Sequence, residues 1–304
     1  MPPFPFAGEL AALAASLFFS IGPTFFTLSG RLIGSAVLNR SRLLLATSVL
    51  ILIHWLLYGQ PLPFGSDLEH WGWFALSGVI GLTLGDAALF QAFVQIGPRL
   101  SMLVYSLAPI VTAVLGWLWL GDRLSPPQAL GIGVTLLGVL WVVSERQESS
   151  GTQIEPRAYA SGLFLALLGA IGQAIGLVTA RQGFEGDMAV LSGQVLRMGT
   201  AAVAIWLFAI LRGQVGNTFN TLRANPLGVR FMMLAVAFGP VMGVWTSLAS
   251  VKYAANIGVA STLQSLPPIF LIAIGYFFFK ERVSWRAMVG TLVALTGVAL
   301  LFIL

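Results

Sequence analysis

The chain has 304 residues, 57% hydrophobic and only 9% charged, with a mean hydropathy of +0.89. A soluble domain carries roughly 25% charged residues, so water is not the main solvent of this protein. The net charge of +5 does not point to nucleic acid: in a membrane protein, surplus arginine is an orientation signal and a contact to anionic headgroups. With no cysteine, the chain has neither a disulfide framework nor thiolate chemistry.

The first apolar run, roughly 9–29, follows Met1-Pro-Pro-Phe-Pro-Phe, which lacks the basic stretch of a signal peptide; this run is expected to stay in the mature protein. Nine more follow, at roughly 36–58, 72–95, 99–120, 126–144, 158–180, 189–212, 229–251, 256–279 and 283–303. Each approaches the ~20 residues that cross a hydrocarbon core of about 30 Å. Lipid offers backbone groups no partners, so each run is expected to be a helix. The alternating pattern of a membrane barrel is absent. The expectation is an all-α integral membrane protein with ten transmembrane helices.

Two polar stretches interrupt the runs, Ser144–Arg157 and Gly213–Gly228. The first has no apolar period and reads as a linker. It divides the chain into a five-helix unit at 1–144, a linker at 145–157 and a second five-helix unit at 158–304. Neither stretch is long enough to fold a soluble motor domain.

The two units share a text. Residues 103–142 and 262–301, offset by 159 positions, are identical at 12 of 40 places. Ser106-Leu107-x-Pro109-Ile110 meets Ser265-Leu266-x-Pro268-Ile269, and Asp122-Arg123-x-Ser125 meets Glu281-Arg282-x-Ser284. Gly131 and Gly138 meet Gly290 and Gly297, spacing that suits close helix packing. An odd number of helices per unit makes the second unit enter the membrane from the opposite side. The expectation is therefore two inverted five-helix repeats, the arrangement that supports alternating access.

This pattern resembles the EamA-type repeat of the drug/metabolite transporter superfamily, and it occurs at the same place in each half. The resemblance spans essentially the whole chain and includes an arginine early in the second helix of each half, Arg42 and Arg197. It implies a ten-helix secondary transporter, in bacteria usually an exporter of amino acids or other small metabolites, in the inner cell membrane. Two features depart from relatives. Phe18-Phe19-Ser20 replaces a common Trp-Gly pair, and Phe19 falls where four-helix multidrug relatives carry a proton-binding glutamate. Their coupling mechanism does not carry over.

Asp86 is the only acidic residue well inside an expected helix, after Gly78-x-x-Gly81-x-x-x-Gly85. A charge at bilayer depth costs about 2.5–3.5 kcal/mol on insertion scales, so it faces a cavity or a partner. It reads either as a proton or cation site or a contact to a cationic substrate group, or as a packing residue beside a glycine-lined contact. Its counterpart in the second half is near Trp245. Ser101, Tyr105 and Pro109 share one face of the fourth helix, and Ser261, Gln264, Ser265 and Pro268 form the matching face of the ninth. Cavity lining and interhelical hydrogen bonding both fit these faces, with the two prolines as hinges. Ser20, Thr24 and Gln173 occupy comparable places on the first and sixth helices. Arg42 and Arg197 are candidates for contact with a substrate carboxylate, or else snorkel to headgroups or anchor the fold.

Other chemistries find no support. Lys252 and Lys280 follow no Gly-rich loop, so no Walker A site can form. His54 and His70 lack partners at metal-ligand spacing and are expected at the membrane interface, away from any cleft. Neither a catalytic residue set nor a cofactor or metal is expected. Arginine and lysine at span ends favour the side of the Ser144–Arg157 linker by 12 to 4, which places the linker in the cytoplasm and both termini outside; the family resemblance implies cytoplasmic termini instead. The function read from the sequence is secondary-active export of a small metabolite or amino acid, driven by a proton, an ion or the substrate gradient. A lipid-linked precursor flippase on the same fold is the alternative, and either a monomer or a homodimer is compatible.

Overall fold

The computed structural model describes residues 6–65, 67–115, 118, 125–144, 155–184, 188–244, 246–247, 250, 263–264, 266–280 and 283–303. Every regular element among them is helical.

The chain opens with α1 (Ala7–Ile33) and α2 (Ser35–Tyr58), joined through the single residue Gly34. Gly34 has φ 80° and ψ 144°, a region closed to most side chains. Next, α3 (Leu68–Ser77) passes through a π-helical segment, Gly78–Gly85, into α4 (Asp86–Tyr105). This run of 38 residues would measure about 57 Å as one straight helix, nearly twice a hydrocarbon core. It is broken at Gly97, with φ 80° and ψ 166°, directly before Pro98. The break falls between the expected third and fourth runs.

A second interruption follows at Ser106–Leu107, before α5 (Ala108–Leu115). Pro109 has no N–H to donate to the Tyr105 carbonyl, so the helix cannot continue through it unbroken. The first half ends with α6 (Pro126–Ser144).

The second half contains α7 (Pro156–Gly183) and α8 (Val190–Leu211). The polar stretch expected at Gly213–Gly228 carries a short helix, α9 (Val215–Ala224), largely exposed apart from Thr218. Then α10 (Pro226–Val236) continues into a second π-helical segment, Ala237–Gly243. The last elements are α11 (Pro267–Phe279) and α12 (Trp285–Ile303).

Six helical stretches among the described residues are long and apolar enough to cross a membrane: α1, α2, the run through α4, α7, α8, and residues 226–243. Shorter apolar helices cover 129–143, 267–279 and 285–300. The two π-helical segments begin 159 positions apart, and so do α5 and α11. That is the offset of the sequence repeat.

Packing follows the same correspondence. Helix α1 lies against α10, the second π-helical segment and α11; α7 lies against α3, the first π-helical segment, α4 and α5. The pairs α2–α8 and α6–α12 join like with like. Glycines let these backbones approach. A Cβ built on Gly172 would lie 2.7 Å from the Gly85 Cα, one on Gly176 3.1 Å from the Gly81 Cα, and one on Gly22 3.2 Å from the Gly239 Cα. At the α6–α12 seam, Gly138 abuts Ala294 and the Gly290 carbonyl, while Gly297 abuts Thr135 and the Gly131 carbonyl. Gly131, Gly138, Gly290 and Gly297 thus pack helices, as their spacing indicates. The outer surface is apolar, with Leu56, Leu211 and Phe277 each more than three-quarters exposed or close to it, as suits contact with lipid.

Candidate functional site

The centre of the first unit is built around Arg42. It lies on α2 one turn after Asn39, so the two side chains share a face. Arg42 donates through Nε and Nη2 to Asn39 Oδ1 at 3.1 and 3.0 Å. Its Nη2 also donates to the Asp86 carboxylate. Asn39 in turn donates to the carbonyls of Leu82 and Thr83, each at 3.3 Å. Both carbonyls belong to the widened π-helical segment, in which the Asp86 N–H reaches back to the Gly81 carbonyl. Such a segment re-aims the residue that follows it, here Asp86.

Two rings complete the enclosure. The Arg42 guanidinium carbon lies 4.6 Å from the centre of Phe90 and 5.7 Å from that of Phe26. Cation–π attraction of this kind strengthens where water is excluded, and Arg42 is only 4% exposed.

Arg197 approaches from α8 and is 7% exposed. Its Nη2 donates to Gln173 Oε1 on α7 at 3.2 Å, while its buried Nε has no hydrogen-bond partner among the described residues. The guanidinium occupies the seam between Gly81 and Gly176: a Cβ on either would come within 2.8 or 3.1 Å of its Nη2. Asp86 feels the charges of Arg42 and Arg197 alike, and the Tyr105 hydroxyl is within electrostatic reach of all three. Among the described residues, two guanidinium groups thus lie within electrostatic reach of one carboxylate, and only Arg42 pairs with it directly. Charges removed from water are costly unless paired.

The snorkelling alternative for Arg42 and Arg197 does not hold. Both side chains turn inward because a carboxylate and neutral acceptors on neighbouring helices meet them there. His54, near the end of α2, is likewise buried, at 2% exposure. Its Nδ1 meets the Gln60 carbonyl at 2.7 Å and its Nε2 meets Ser192 Oγ at 3.0 Å. A carbonyl only accepts, so Nδ1 carries the proton in that contact.

Several candidates have their polar atoms engaged by backbone. Ser20 donates to the Ser16 carbonyl at 2.8 Å and lies 3.3 Å from the Pro267 carbonyl, joining α1 to α11. Thr24 donates to the Ser20 carbonyl at 2.9 Å, and Ser101 to the carbonyl of the broken position Gly97 at 2.8 Å. Gln264 accepts from Ser247 and donates to Ser250, both at 2.6 Å. Pro109 and Pro268 each occupy the second position of a new helix, α5 and α11, after a break. Trp245, Ser261 and Ser265 lie outside the described residues.

Asn39, Phe26 and Phe90 belong to the cluster although the sequence reading passed over them. A signal existed for two of them: Asn39 precedes Arg42 by three residues and Phe90 follows Asp86 by four, the spacings of one helix face. Among the described residues no three metal-ligating side chains converge.

A family model described as the EamA-like transporter family matches residues 6–144 and again residues 160–303. A WAT1-related protein of Arabidopsis thaliana, described as chloroplastic, is 26% identical over 262 residues, covering 83% of this chain and 59% of its own. The chain therefore spans about three-fifths of the length of that relative. A solved crystal structure with 17% sequence identity aligns with a TM-score of 0.58, over 97% of this chain and 96% of the other; that likeness concerns the fold.

Proposed function

Since the chain belongs to the EamA-like transporter family and is a multi-pass membrane transporter, we propose that it exports a small metabolite or amino acid by alternating access around the Arg42–Asp86–Tyr105–Arg197 cluster. In this reading the chain forms ten transmembrane helices in two inverted five-helix repeats, 1–144 and 158–304, joined by the linker at 145–157. Two observations support it: the recurrence of the 159-residue offset in the π-helical segments and in α5 and α11, and the matched packing of α1 with α10 and α7 with α3.

One observation carries the placement of the site. Arg42 and Arg197 hold corresponding places in the second helix of each half, and both are buried within electrostatic reach of Asp86. A polar centre shared by two related units is where a rocking motion exposes the same groups to either side. Energy comes from a proton or ion gradient or from the substrate's own gradient, and the inner cell membrane is the proposed location.

The test begins with an export screen that compares overexpressing and deleted cells across toxic metabolites. Compounds that separate the strains are then followed in proteoliposomes under an imposed pH gradient. Uphill flux that collapses with the gradient is the expected result. Movement of a lipid-linked precursor between leaflets, with no small-solute flux, would replace this reading by the flippase.

A further inference from the structure

We infer that the transported molecule carries a monovalent carboxylate, and that Arg197, not Arg42, is its receptor. This rests on the transport reading above and specifies the substrate class of the same site.

The two arginines hold corresponding places but differ in what surrounds them. Arg42 is committed: its Nε and Nη2 are taken by Asn39 and Asp86, and Phe90 covers its face. Its neighbours are themselves tied to the π-helical segment. Among the described residues, Arg197 donates to the neutral Gln173 at 3.2 Å, and its buried Nε has no hydrogen-bond partner. A planar guanidinium presents paired N–H groups that match a carboxylate. The unpaired Nε and the neighbouring Nη2 are one such pair of donors.

Charge sets the valence. Among the described residues the cluster holds two cations and one anion, so one further negative charge neutralises it and a dianion overshoots. The absence of side chains at Gly81 and Gly176 gives the guanidinium its room in the seam between α7 and the π-helical segment. The Tyr105 hydroxyl, within electrostatic reach of both arginines and Asp86, is a further donor in the cluster. A molecule bearing one carboxylate completes the pairing that Asp86 provides for Arg42. When it leaves, the second charge is orphaned again, which favours rebinding over an empty return.

The full-length protein in detergent tests this without knowledge of the substrate. Gln173→Glu places a carboxylate where Arg197 Nη2 already donates. The inference expects its melting temperature to rise by about 3 °C or more, because an internal counter-ion takes the ligand's place. An unchanged or lower melting temperature would overturn the assignment. In parallel, benzoate, phenylacetate and glutarate are compared with benzamide, phenylacetamide, benzylamine and inorganic phosphate as stabilisers of the unsubstituted protein. The monocarboxylates should stabilise it, and the effect should vanish in Gln173→Glu and in Arg197→Gln. Equal protection by the amides, stronger protection by phosphate or glutarate, or none by the monocarboxylates would each overturn the inference. The transport reading is judged separately in proteoliposomes: flux of a neutral or cationic compound preserves transport while removing the carboxylate, and absence of solute flux with leaflet-to-leaflet lipid movement removes transport itself.

Discussion

Arg42 on α2 and Asp86 on α4, separated by 44 residues in sequence, form an ion pair inside the helical bundle, with side-chain exposures of 5% and 10%. Removing one member of a buried pair leaves the other charged and unmatched, which costs about 3–5 kcal/mol. Asp86→Leu is expected to lose stability on that scale. The double substitution Arg42→Met with Asp86→Leu should recover most of the loss, since it removes one charge of each sign and leaves the net charge of the cluster unchanged. Thermal unfolding in detergent measures both. Uphill flux should stay absent in the double variant; its return would reduce the pair to a scaffold. Asp86→Asn isolates coupling, and unchanged uphill transport there would remove Asp86 from that role.

The seam between α7 and the first π-helical segment has no slack at Gly172. An added methyl would lie 2.7 Å from the Gly85 Cα and 3.2 Å from the Ile80 carbonyl, both backbone atoms. Gly172→Ala is expected to destabilise by about 1–3 kcal/mol, the usual range for overpacking. Gly133→Ala on α6 meets open space and should stabilise by up to about 1 kcal/mol through helix propensity. Melting temperatures that move in opposite directions would bear out the packing; equal shifts would contradict it.

His54 and Ser192 connect the end of α2 to the beginning of α8. A double-mutant cycle with His54→Ala and Ser192→Ala should return a coupling energy of about 0.5–3 kcal/mol, as for residues in one hydrogen-bond network. At an interfacial position the single His54 change would stay within about 0.5 kcal/mol and the cycle would close at zero.

Arginine and lysine favour the side of the Ser144–Arg157 linker by 12 to 4, which predicts a cytoplasmic linker and external termini. Fused at the C-terminus, alkaline phosphatase should be active and a fluorescent protein dark. Fluorescence at that end would reverse the orientation.

The amino-acid sequence alone determined the repeat, the apolar runs and the glycine seams. These follow from periodicity and residue size, which are local properties: an apolar run in lipid must be helical, and Gly131, Gly138, Gly290 and Gly297 admit close approach wherever they face a partner. The break before Pro109 was likewise legible, because a missing N–H acts within its own helix. The pairing of Arg42 with Asp86 was not. It depends on which helix lies beside α2 and on the π-helical segment that turns Asp86 toward it, a register shift that no hydrophobic pattern records. Nor could sequence distinguish the two arginines, for they occupy corresponding positions in related text. Only the packed bundle sets a carboxylate and two aromatic rings around Arg42 while leaving Arg197 to Gln173, because partners for a buried charge are chosen by neighbours across space.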